Sequence, residues 1–340
     1  MIKPKMLKAG DKVAVVSLSS GSIGESKNIS RFEKGKEIFE NIFGLEVVVM
    51  PNALKGKKWV KEHPELRAKD LMDAFKDDSI KAIFTLTGGD DTIRLLPYID
   101  YETIKSNPKI FMGYSDTTVN HFMMYKSGVV SYYGPAVAVE FSLDENVNQN
   151  IESVLKTLFE YNEQLELKHY NIAANDPVDW SIRKLEYIED PKGYEVIQGN
   201  RTVSGCLLGG CLEVFIMING TEIWPEKDEW ENKILFLEVS DETTTPDFVK
   251  WVLTNLGVQG VLSKINGIIF GRTKNGKYYE EYNTVLKEVT KQFGSESLPI
   301  LANAHFGHAW LWNILPYGCN VQLDCDNKTL KILESPVDKY

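Results

Sequence analysis

The chain has 340 residues, of which 43% are hydrophobic and 25% are charged, and its formal net charge is −10. This length allows two domains with substantial cores, and the composition is that of an ordinary globular protein. The negative charge argues against a nucleic-acid or anionic-membrane binder, and neither a signal peptide nor a membrane-spanning run is recognisable, so we expect a cytoplasmic protein.

The first half of the chain alternates segments that are typical of strands with segments that are typical of helices. The strand-like segments are apolar and β-branched, and the helix-like segments are amphipathic. Apolar strands that alternate with helices predict an α/β fold with a parallel sheet covered on both faces. The predicted strands lie in KVAVVSLSS, LEVVVM, IKAIFTLTGG and PKIFMGYS, and the predicted helices in SRFEKGKEIFENIFG and ELRAKDLMDAFKD.

Ligands of such sheets bind beyond the carboxyl ends of the strands. Three predicted strand ends carry small or polar residues, at Ser17–Ser22, Thr87–Thr92 and Gly113–Asp116. The last of these belongs to KIFMGYSDTT, which predicts a strand, a sharp turn and a helix, with Ser115 at the turn. A serine in this position is lifted clear of the sheet, and the first amides of the helix can stabilise an oxyanion beside it.

The second half of the chain differs in class. Residues 145–200 are polar and weakly periodic, and short strands or a hairpin are expected there. Several short strand-like runs and one clear helix, PDFVKWVLTNLG, follow and indicate a smaller β-rich mixed domain. We therefore predict an N-terminal α/β domain over residues 1–165, a connector and active-site loop over 166–200, and a C-terminal domain over 201–340.

A nucleophilic serine needs a base, and the chain has five histidines. His121 should point away from the turn, because it lies six residues along the following helix. His305 and His308 follow an apolar strand in ANAHFGHAW, and position alone does not choose between them. A carboxylate must orient the imidazole, and Glu238 ends the otherwise apolar strand KILFLE. Together with Ser115, these residues predict a Ser-His-Glu hydrolase.

Other classes of protein account for some of the same signals. A non-enzymatic two-domain protein that binds a small molecule at the strand ends would need neither Glu238 nor His308. A nucleotide-dependent oxidoreductase would need a dinucleotide fingerprint, and TLTGGDD also lacks the lysine of a phosphate-binding P-loop. The four cysteines lack C-x-x-C spacing and no other cluster has metal-ligand spacing, so we expect no metal and no cofactor.

Six motifs, taken in order, resemble the LD-carboxypeptidase family of serine peptidases, which also contains the microcin C self-immunity peptidases. The motifs are GGDDTIRLLPYID, GYSDTT, YYGPA, LLGGCLE, ILFLE and FGHAW…LPYG, and the resemblance covers nearly the whole chain. It implies a catalytic triad, an oxyanion hole made of two backbone amides, and a homodimer. The residues that match are Ser115 as nucleophile, Glu238 as acid, His308 rather than His305 as base, and the amides of Gly89 and Asp116.

The resemblance also implies the class of substrate. It indicates cleavage of an amide bond near the C-terminus of a small peptide or a peptidyl-nucleotide, with no nucleic acid and no membrane as partner. Many family members have arginine at the position of Thr87 and histidine at that of Tyr133, and AWLWNILPYG replaces a run that usually holds threonine and proline. The GGDD loop and the chain length favour the microcin-immunity branch, while a murein tetrapeptide remains the alternative substrate.

Three further residues are candidates for substrate binding. Gly88 and Asp90 lie in the GGDD loop, next to the expected oxyanion amide. Trp180 lies in the polar segment NDPVDWSIRK, where nothing obvious in the sequence would bury it. The tryptophan either folds back onto its own domain or forms an aromatic wall that stacks on a flat leaving group.

Overall fold

The computed structural model describes residues 1–143, 147–175, 186–189, 192–240, 244–308 and 313–340. The chain forms two compact units. Of the described residues, the first unit takes in those in 1–162 and 335–340, and the second takes in those in 163–175 and 186–334. The domain boundaries that we placed at residues 165 and 200 stay predictions.

The first unit is built on a parallel sheet, as its apolar strand pattern predicts. Its strands are β1 (Lys12–Val16), β2 (Glu46–Val49), β3 (Ile80–Thr85), β4 (Ile110–Gly113) and β5 (Tyr132–Tyr133). They pair side by side in the order β5-β4-β3-β1-β2, and every pair is parallel. The central strands are almost wholly buried, because helices cover such a sheet on both faces.

The helices of the first unit pack by the apolar faces that their sequences predict. In α1, Phe39 is fully buried and lies edge-on to Phe84 of β3, with ring centroids 4.8 Å apart. Pro64 begins α3, where a missing amide hydrogen costs no hydrogen bond. The helices are α1 (Ile29–Asn41), α2 (Lys57–Glu62), α3 (Pro64–Lys76), α4 (Tyr101–Ser106), α5 (Thr118–Lys126) and α6 (Val147–Val154). Short helical turns occupy Ser22–Gly24, Thr92–Tyr98, Ser115–Thr117, Glu140–Ser142 and Leu155–Phe159.

The second unit contains an eight-stranded mixed sheet in the order β6-β16-β15-β10-β11-β12-β13-β9. Its centre, β10-β11-β12-β13, is parallel, and its outer pairs are antiparallel. The strands of this unit are β6 (Leu165–Leu167), β7 (Ile172–Asn175), β8 (Glu186–Glu189), β9 (Glu195–Gln198), β10 (Val203–Cys211), β11 (Lys233–Glu238), β12 (Gly267–Gly271), β13 (Ile300–Ala304), β14 (Leu315–Pro316), β15 (Asn320–Asp324) and β16 (Thr329–Ile332). Strands β7 and β8 pair separately as an antiparallel ladder.

The helices of the second unit are α7 (Phe215–Ile218), α8 (Pro246–Val258) and α9 (Tyr279–Gln292), with short turns at Leu212–Val214, Lys227–Trp230 and Lys274–Gly276. The Thr245 hydroxyl caps α8 by accepting a hydrogen bond from the Phe248 amide at 3.3 Å. Gly257 lies inside α8, where a β-carbon would approach the Phe293 ring to 2.3 Å, so it serves close packing. None of the helices in the described ranges is long and apolar enough to cross a membrane.

Candidate active site

The predicted strand, turn and helix around Ser115 are present in the first unit. β4 ends at Gly113, a short helical turn begins at Ser115, and α5 continues from Thr118. Ser115 has a φ of +62°, which is left-handed backbone that a residue with a β-carbon seldom adopts. Such backbone strain clusters at functional sites, where the surrounding structure holds it in place. The Ser115 amide donates a hydrogen bond to the hydroxyl of Tyr133 at 3.2 Å.

The Gly-rich loop after β3 lies directly against this serine. A β-carbon on Gly88 would approach the Ser115 Cβ to 2.9 Å and its Oγ to 3.1 Å. Gly89 has a φ of +155°, and a β-carbon there would approach the Ser19 Oγ to 2.3 Å. The two glycines therefore let the loop backbone pass between the nucleophile turn and the end of β1. Asp90, the next residue, is exposed.

The carboxylate of Asp116 ties the nucleophile turn to the same loop. It is buried, and its Oδ2 accepts hydrogen bonds from the Ser19 hydroxyl at 2.5 Å and from the amides of Asp91 and Thr92 at 3.0 and 2.8 Å. Burial raises the pKa of this carboxyl group, and the hydrogen bonds from Ser19 and the two amides oppose that shift. From the sequence we assigned only the amide of Asp116, so this role of its side chain is new.

Both amides that were predicted to form an oxyanion hole belong to segments that contact Ser115. Asp116 is the second residue of its short helix, in which the first amide to bond a backbone carbonyl is that of Thr117, to the Tyr114 carbonyl at 3.1 Å. The Asp116 amide therefore precedes the hydrogen-bonded turn, as the leading amides of a helix do. Gly89 follows directly on Gly88, which packs on the serine.

A buried arginine, absent from the predicted site, joins the same segments. Arg67 of α3 donates from Nη1 to the carbonyls of Leu18 and Ser19, at 2.8 and 3.2 Å. Its Nη2 lies 3.4 Å from the Asp91 carboxylate, and Arg94 approaches that carboxylate to 3.2 Å. Burial lowers the pKa of the Arg67 guanidinium, and the charge of Asp91 opposes this shift. Arg67 thus links the loop after β1 to the Gly-rich loop.

His121 supports the nucleophile turn, contrary to the prediction that it points away from it. Its Nε2 lies 2.9 Å from the Gly113 carbonyl, and its Nδ1 lies 2.9 Å from the Ser131 hydroxyl. Burial lowers its pKa to about 3, so the ring is neutral at neutral pH and donates from Nε2 to that carbonyl. The ring returns to the strand end because α5 packs against β5, which pairs with the end of β4 at Gly113.

In the second unit, the structure brings Glu238 and His308 together. Glu238 is the last residue of β11 and is 1% exposed. Its Oε2 lies 2.8 Å from the His308 Nδ1, and its Oε1 lies 3.1 Å from the same nitrogen. The His308 amide also donates to Oε2, at 3.3 Å. A carboxylate that accepts from Nδ1–H orients the imidazole and leaves Nε2 as the basic nitrogen.

The chain around this pair is closely packed. Gly307 has a φ of +72°, and a β-carbon there would approach the Glu238 Cδ to 2.4 Å. Every other residue would therefore displace the carboxylate or strain the turn that carries His308. His305 is separate from the pair: it is fully buried, and its ring lies edge-on to those of His169 and Tyr170. Burial, with the nearby charge of Arg272, lowers the pKa of His305 to about 3.

Glu213 bonds two residues that follow β11, Ser240 and Thr244. Its Oε1 accepts hydrogen bonds from the Ser240 amide at 2.8 Å, the Ser240 hydroxyl at 3.0 Å and the Thr244 hydroxyl at 2.6 Å. The thiol of Cys211, which pairs with Glu238 in the sheet register, lies 3.1 Å from the other oxygen of Glu213. The LLGGCLE motif carries this glutamate, but nothing local in it indicates what the carboxylate binds.

The predicted site residues thus fall into two groups. Ser115, Gly88, Gly89, Asp90 and Asp116 belong to the first unit, and Glu238 and His308 belong to the second. That the two groups act together stays a prediction. Trp180 lies outside the described residues. Across the ranges that the structure describes, no three His, Cys, Asp or Glu side chains group so as to hold a metal ion.

Two family models match the chain. The model described as the LD-carboxypeptidase N-terminal domain matches residues 13–134, which include the Gly-rich loop and Ser115. The model described as the LD-carboxypeptidase C-terminal domain matches residues 204–323, which include Glu238 and His308.

Individual proteins match over nearly their whole length. The microcin C7 self-immunity protein MccF of Escherichia coli is 28% identical over 342 residues, covering 96% of this chain and 94% of the relative. A probable murein peptide carboxypeptidase of Bacillus subtilis is 27% identical over 335 residues, covering 97% and 94%.

Solved structures agree with these matches. An MccF-like protein from Streptococcus pneumoniae, in complex with AMP, has a TM-score of 0.84 at 30% identity, covering 94% of this chain and 98% of that one. MccF in complex with aspartyl sulfamoyl adenosine has a TM-score of 0.86 at 26% identity, covering 99% and 100%. The two-domain α/β fold predicted from the sequence is therefore confirmed.

Proposed function

The chain belongs to the LD-carboxypeptidase family of serine peptidases, and on this basis we propose that Ser115, Glu238 and His308 form its catalytic triad. The observation that carries the proposal is the contact of 2.8 Å between His308 Nδ1 and the buried Glu238 carboxylate. The left-handed backbone of Ser115 at the strand–helix turn supports it. Membership of a peptidase family sets aside the non-enzymatic binding protein as an alternative.

In the proposed reaction, Ser115 Oγ attacks the scissile carbonyl and His308 Nε2 takes the hydroxyl proton. Glu238 keeps the proton of the imidazole on Nδ1 and stabilises the imidazolium ion that forms. The Gly89 and Asp116 amides bind the oxyanion, each contributing about 3 kcal/mol to the stability of the transition state. His308 then returns the proton to the leaving amine, and water hydrolyses the acyl-enzyme.

His308 rather than His305 is the proposed base. A general base must accept a proton near neutral pH and must reach the nucleophile with an oriented ring. The ring of His305 is fully buried, with a pKa lowered to about 3, and its ring contacts are aromatic. His308 is the histidine whose ring a carboxylate orients.

For the substrate, we propose an amide bond between an acyl group and a nucleotide-linked amine. The relatives support this choice, because one is a microcin self-immunity protein and the solved neighbours were crystallised with AMP and with aspartyl sulfamoyl adenosine. Resistance to microcin C-like compounds would be the biological role. A murein tetrapeptide is the second candidate, because a probable murein peptide carboxypeptidase of B. subtilis is similar over 97% of this chain.

Several finer points belong to the same proposal. We propose that Gly88 and Asp90 border the substrate and that Trp180 stacks on a flat leaving group. We also propose that the protein is a cytoplasmic homodimer that acts on small peptides or peptidyl-nucleotides and needs no cofactor. The four cysteines are free thiols, as a reducing compartment would leave them.

The decisive experiment compares two substrates with the same enzyme preparations. Wild-type protein should hydrolyse aspartyl sulfamoyl adenosine faster than it hydrolyses L-Ala-γ-D-Glu-L-Lys-D-Ala, as followed by chromatography of the released amine. Ser115→Ala should abolish both reactions while circular dichroism stays unchanged. Ser263→Ala, an exposed serine whose hydroxyl bonds the Gly260 carbonyl, is the matched control and should retain full activity. Turnover by Ser115→Ala at the wild-type rate would exclude Ser115 as the nucleophile.

A further inference from the structure

A cleft of about 350 Å³ opens in the first unit beside the Gly-rich loop. One wall is formed by that loop and by the segment after β1, and the other by one face of α2. No residue of the proposed triad lines it. The lining residues are Ser19, Ser20, Lys57, Lys61, Gly89 and Asp90, together with Asp91.

Two lysines and two aspartates line the cleft, so its formal charge is balanced, in a chain whose net charge is −10. Lys57 and Lys61 lie one helical turn apart on α2, so their side chains extend from the same face. Within the described part of the chain, neither lysine forms an ion pair. The Asp91 carboxylate is already engaged by Arg67 and Arg94. Asp90 is then the one acidic group of the lining left against two ammonium groups.

The position of α2 is held from both ends. The Lys57 amide donates to the Glu25 carboxylate at 2.7 Å, which holds the first turn of the helix. At the other end, Arg94 donates to the Lys61 carbonyl at 2.7 Å while it contacts Asp91. The two ammonium groups therefore project from a backbone that is tied to the Gly-rich loop.

The cleft adjoins the proposed catalytic machinery within the same unit. Gly89 lines the cleft, and its neighbour Gly88 packs against the Ser115 side chain. Consecutive α-carbons lie about 3.8 Å apart, so the cleft wall at Gly89 lies one residue from the glycine that packs on Ser115. A ligand whose carbonyl sits at Ser115 could place its next polar group between the lysines.

Both candidate substrates carry an anionic or oxygen-rich group next to the scissile nitrogen. In a tetrapeptide, the carboxylate of the last residue is one carbon away from that nitrogen. In an aminoacyl-sulfamoyl nucleoside, the sulfonyl group, a substitute for a phosphoryl group, is bonded to the nitrogen directly. Resting on the proposed function, we propose that Lys57 and Lys61 bind the oxyanionic group of the leaving amine, and so select substrates by that group.

The test measures binding, so that it does not depend on turnover. Ser115→Ala protein is titrated calorimetrically with L-Ala-γ-D-Glu-L-Lys-D-Ala and with its C-terminal amide, and in a second arm with AMP and with adenosine. The same titrations are repeated with Lys57→Gln/Lys61→Gln added. Lys58→Gln is the matched control, because Lys58 lies on the same helix, is 88% exposed and lies 3.9 Å from Glu62, away from the cleft lining.

We expect the anionic member of each ligand pair to bind about 10- to 100-fold more tightly than its neutral partner. This difference corresponds to one or two exposed charge-assisted hydrogen bonds. The Lys57→Gln/Lys61→Gln variant should lose this preference, and Lys58→Gln should keep it. If the preference is lost for the tetrapeptide pair, the group bound is a carboxylate, and if it is lost for AMP and adenosine, the group bound is a phosphate. The proposal is overturned if the double variant keeps the preference, if it weakens both members of a pair equally, or if the parent shows no preference. Failure of the triad would instead appear as turnover by Ser115→Ala.

Discussion

Replacing Glu238 by glutamine tests the proposed triad at the contact that the structure defines best. The substitution keeps the shape of the side chain and removes one negative charge that is 1% exposed. In the wild type, that charge accepts from the Nδ1–H and the backbone amide of His308. A glutamine can turn its NH2 group toward Nδ1, which would move the imidazole proton to Nε2 and leave no base for the nucleophile.

The size of the effect follows from the geometry. With Nδ1 and Oε2 2.8 Å apart, the centres of the two charges in the imidazolium–carboxylate pair are about 4 Å apart. At an effective dielectric constant of about 20, the attraction is about 4 kcal/mol, which is about 1,000-fold in rate. The wrong tautomer would add to this loss, so we expect kcat to fall about 10³- to 10⁴-fold.

The assay is steady-state hydrolysis of the better substrate, with kcat and KM determined separately. KM should change little, because Glu238 acts on the substrate only through His308. Glu231→Gln makes the same chemical change at an exposed site that pairs with Lys264, and it should leave kcat unchanged. Glu238→Asp, which keeps the charge, should retain more activity than the glutamine variant. A folded Glu238→Gln protein whose kcat lies within tenfold of the wild type would refute the proposed role.

Four other residues give predictions of the same kind. His308→Ala should lower kcat about as much as Glu238→Gln does. His305→Ala should retain most of the activity and lower the melting temperature. A larger loss of kcat in His305→Ala than in His308→Ala would make His305 the base. Because the pKa of His305 is about 3 in the folded protein and about 6.5 when unfolded, the unfolded state binds more protons below pH 6.5. Stability should therefore fall by about 2 kcal/mol between pH 6.5 and 5 on account of this group, and His305→Asn should remove that part of the loss in urea titrations at the two pH values. Gly88→Ala places a β-carbon 2.9 Å from the Cβ of Ser115, so kcat should fall about 10- to 100-fold. Thr87→Ala, in the same loop, is the control and should keep the wild-type kcat. A Gly88→Ala protein with the wild-type kcat would mean that the loop shifts at no cost to the position of the nucleophile. Glu213→Ala removes the acceptor of three hydrogen bonds from Ser240 and Thr244, and it should lower kcat at nearly constant KM. Glu213→Gln should recover part of the lost kcat. If Glu213→Ala changes only the melting temperature, the role of Glu213 is purely structural.

Much of the architecture could be predicted from the sequence, because local patterns reflect burial. The apolar runs at residues 82–84 and 110–112 lie in strands that are covered on both faces, and neither run has a polar break. The turn at Ser115 could be recognised for the same local reason, since strand, small residue and helix follow one another within ten residues. The ordered motifs then indicated the family, and the matches over residues 13–134 and 204–323 confirm it.

The partners of the site residues were decided only by the tertiary structure. Position left His305 and His308 equivalent as bases, and the family resemblance favoured His308. The structure adds which ring a carboxylate contacts, that of His308, through Glu238, which lies 70 residues away in the chain. The bond from Ser19 to the Asp116 carboxylate spans 97 residues, and nothing near either residue indicates it. A hydrophobic pattern records that a side chain is buried, but it carries no information on which distant donor or acceptor compensates its polar atoms. That choice depends on strand order and register, which arise only when the whole sheet is assembled.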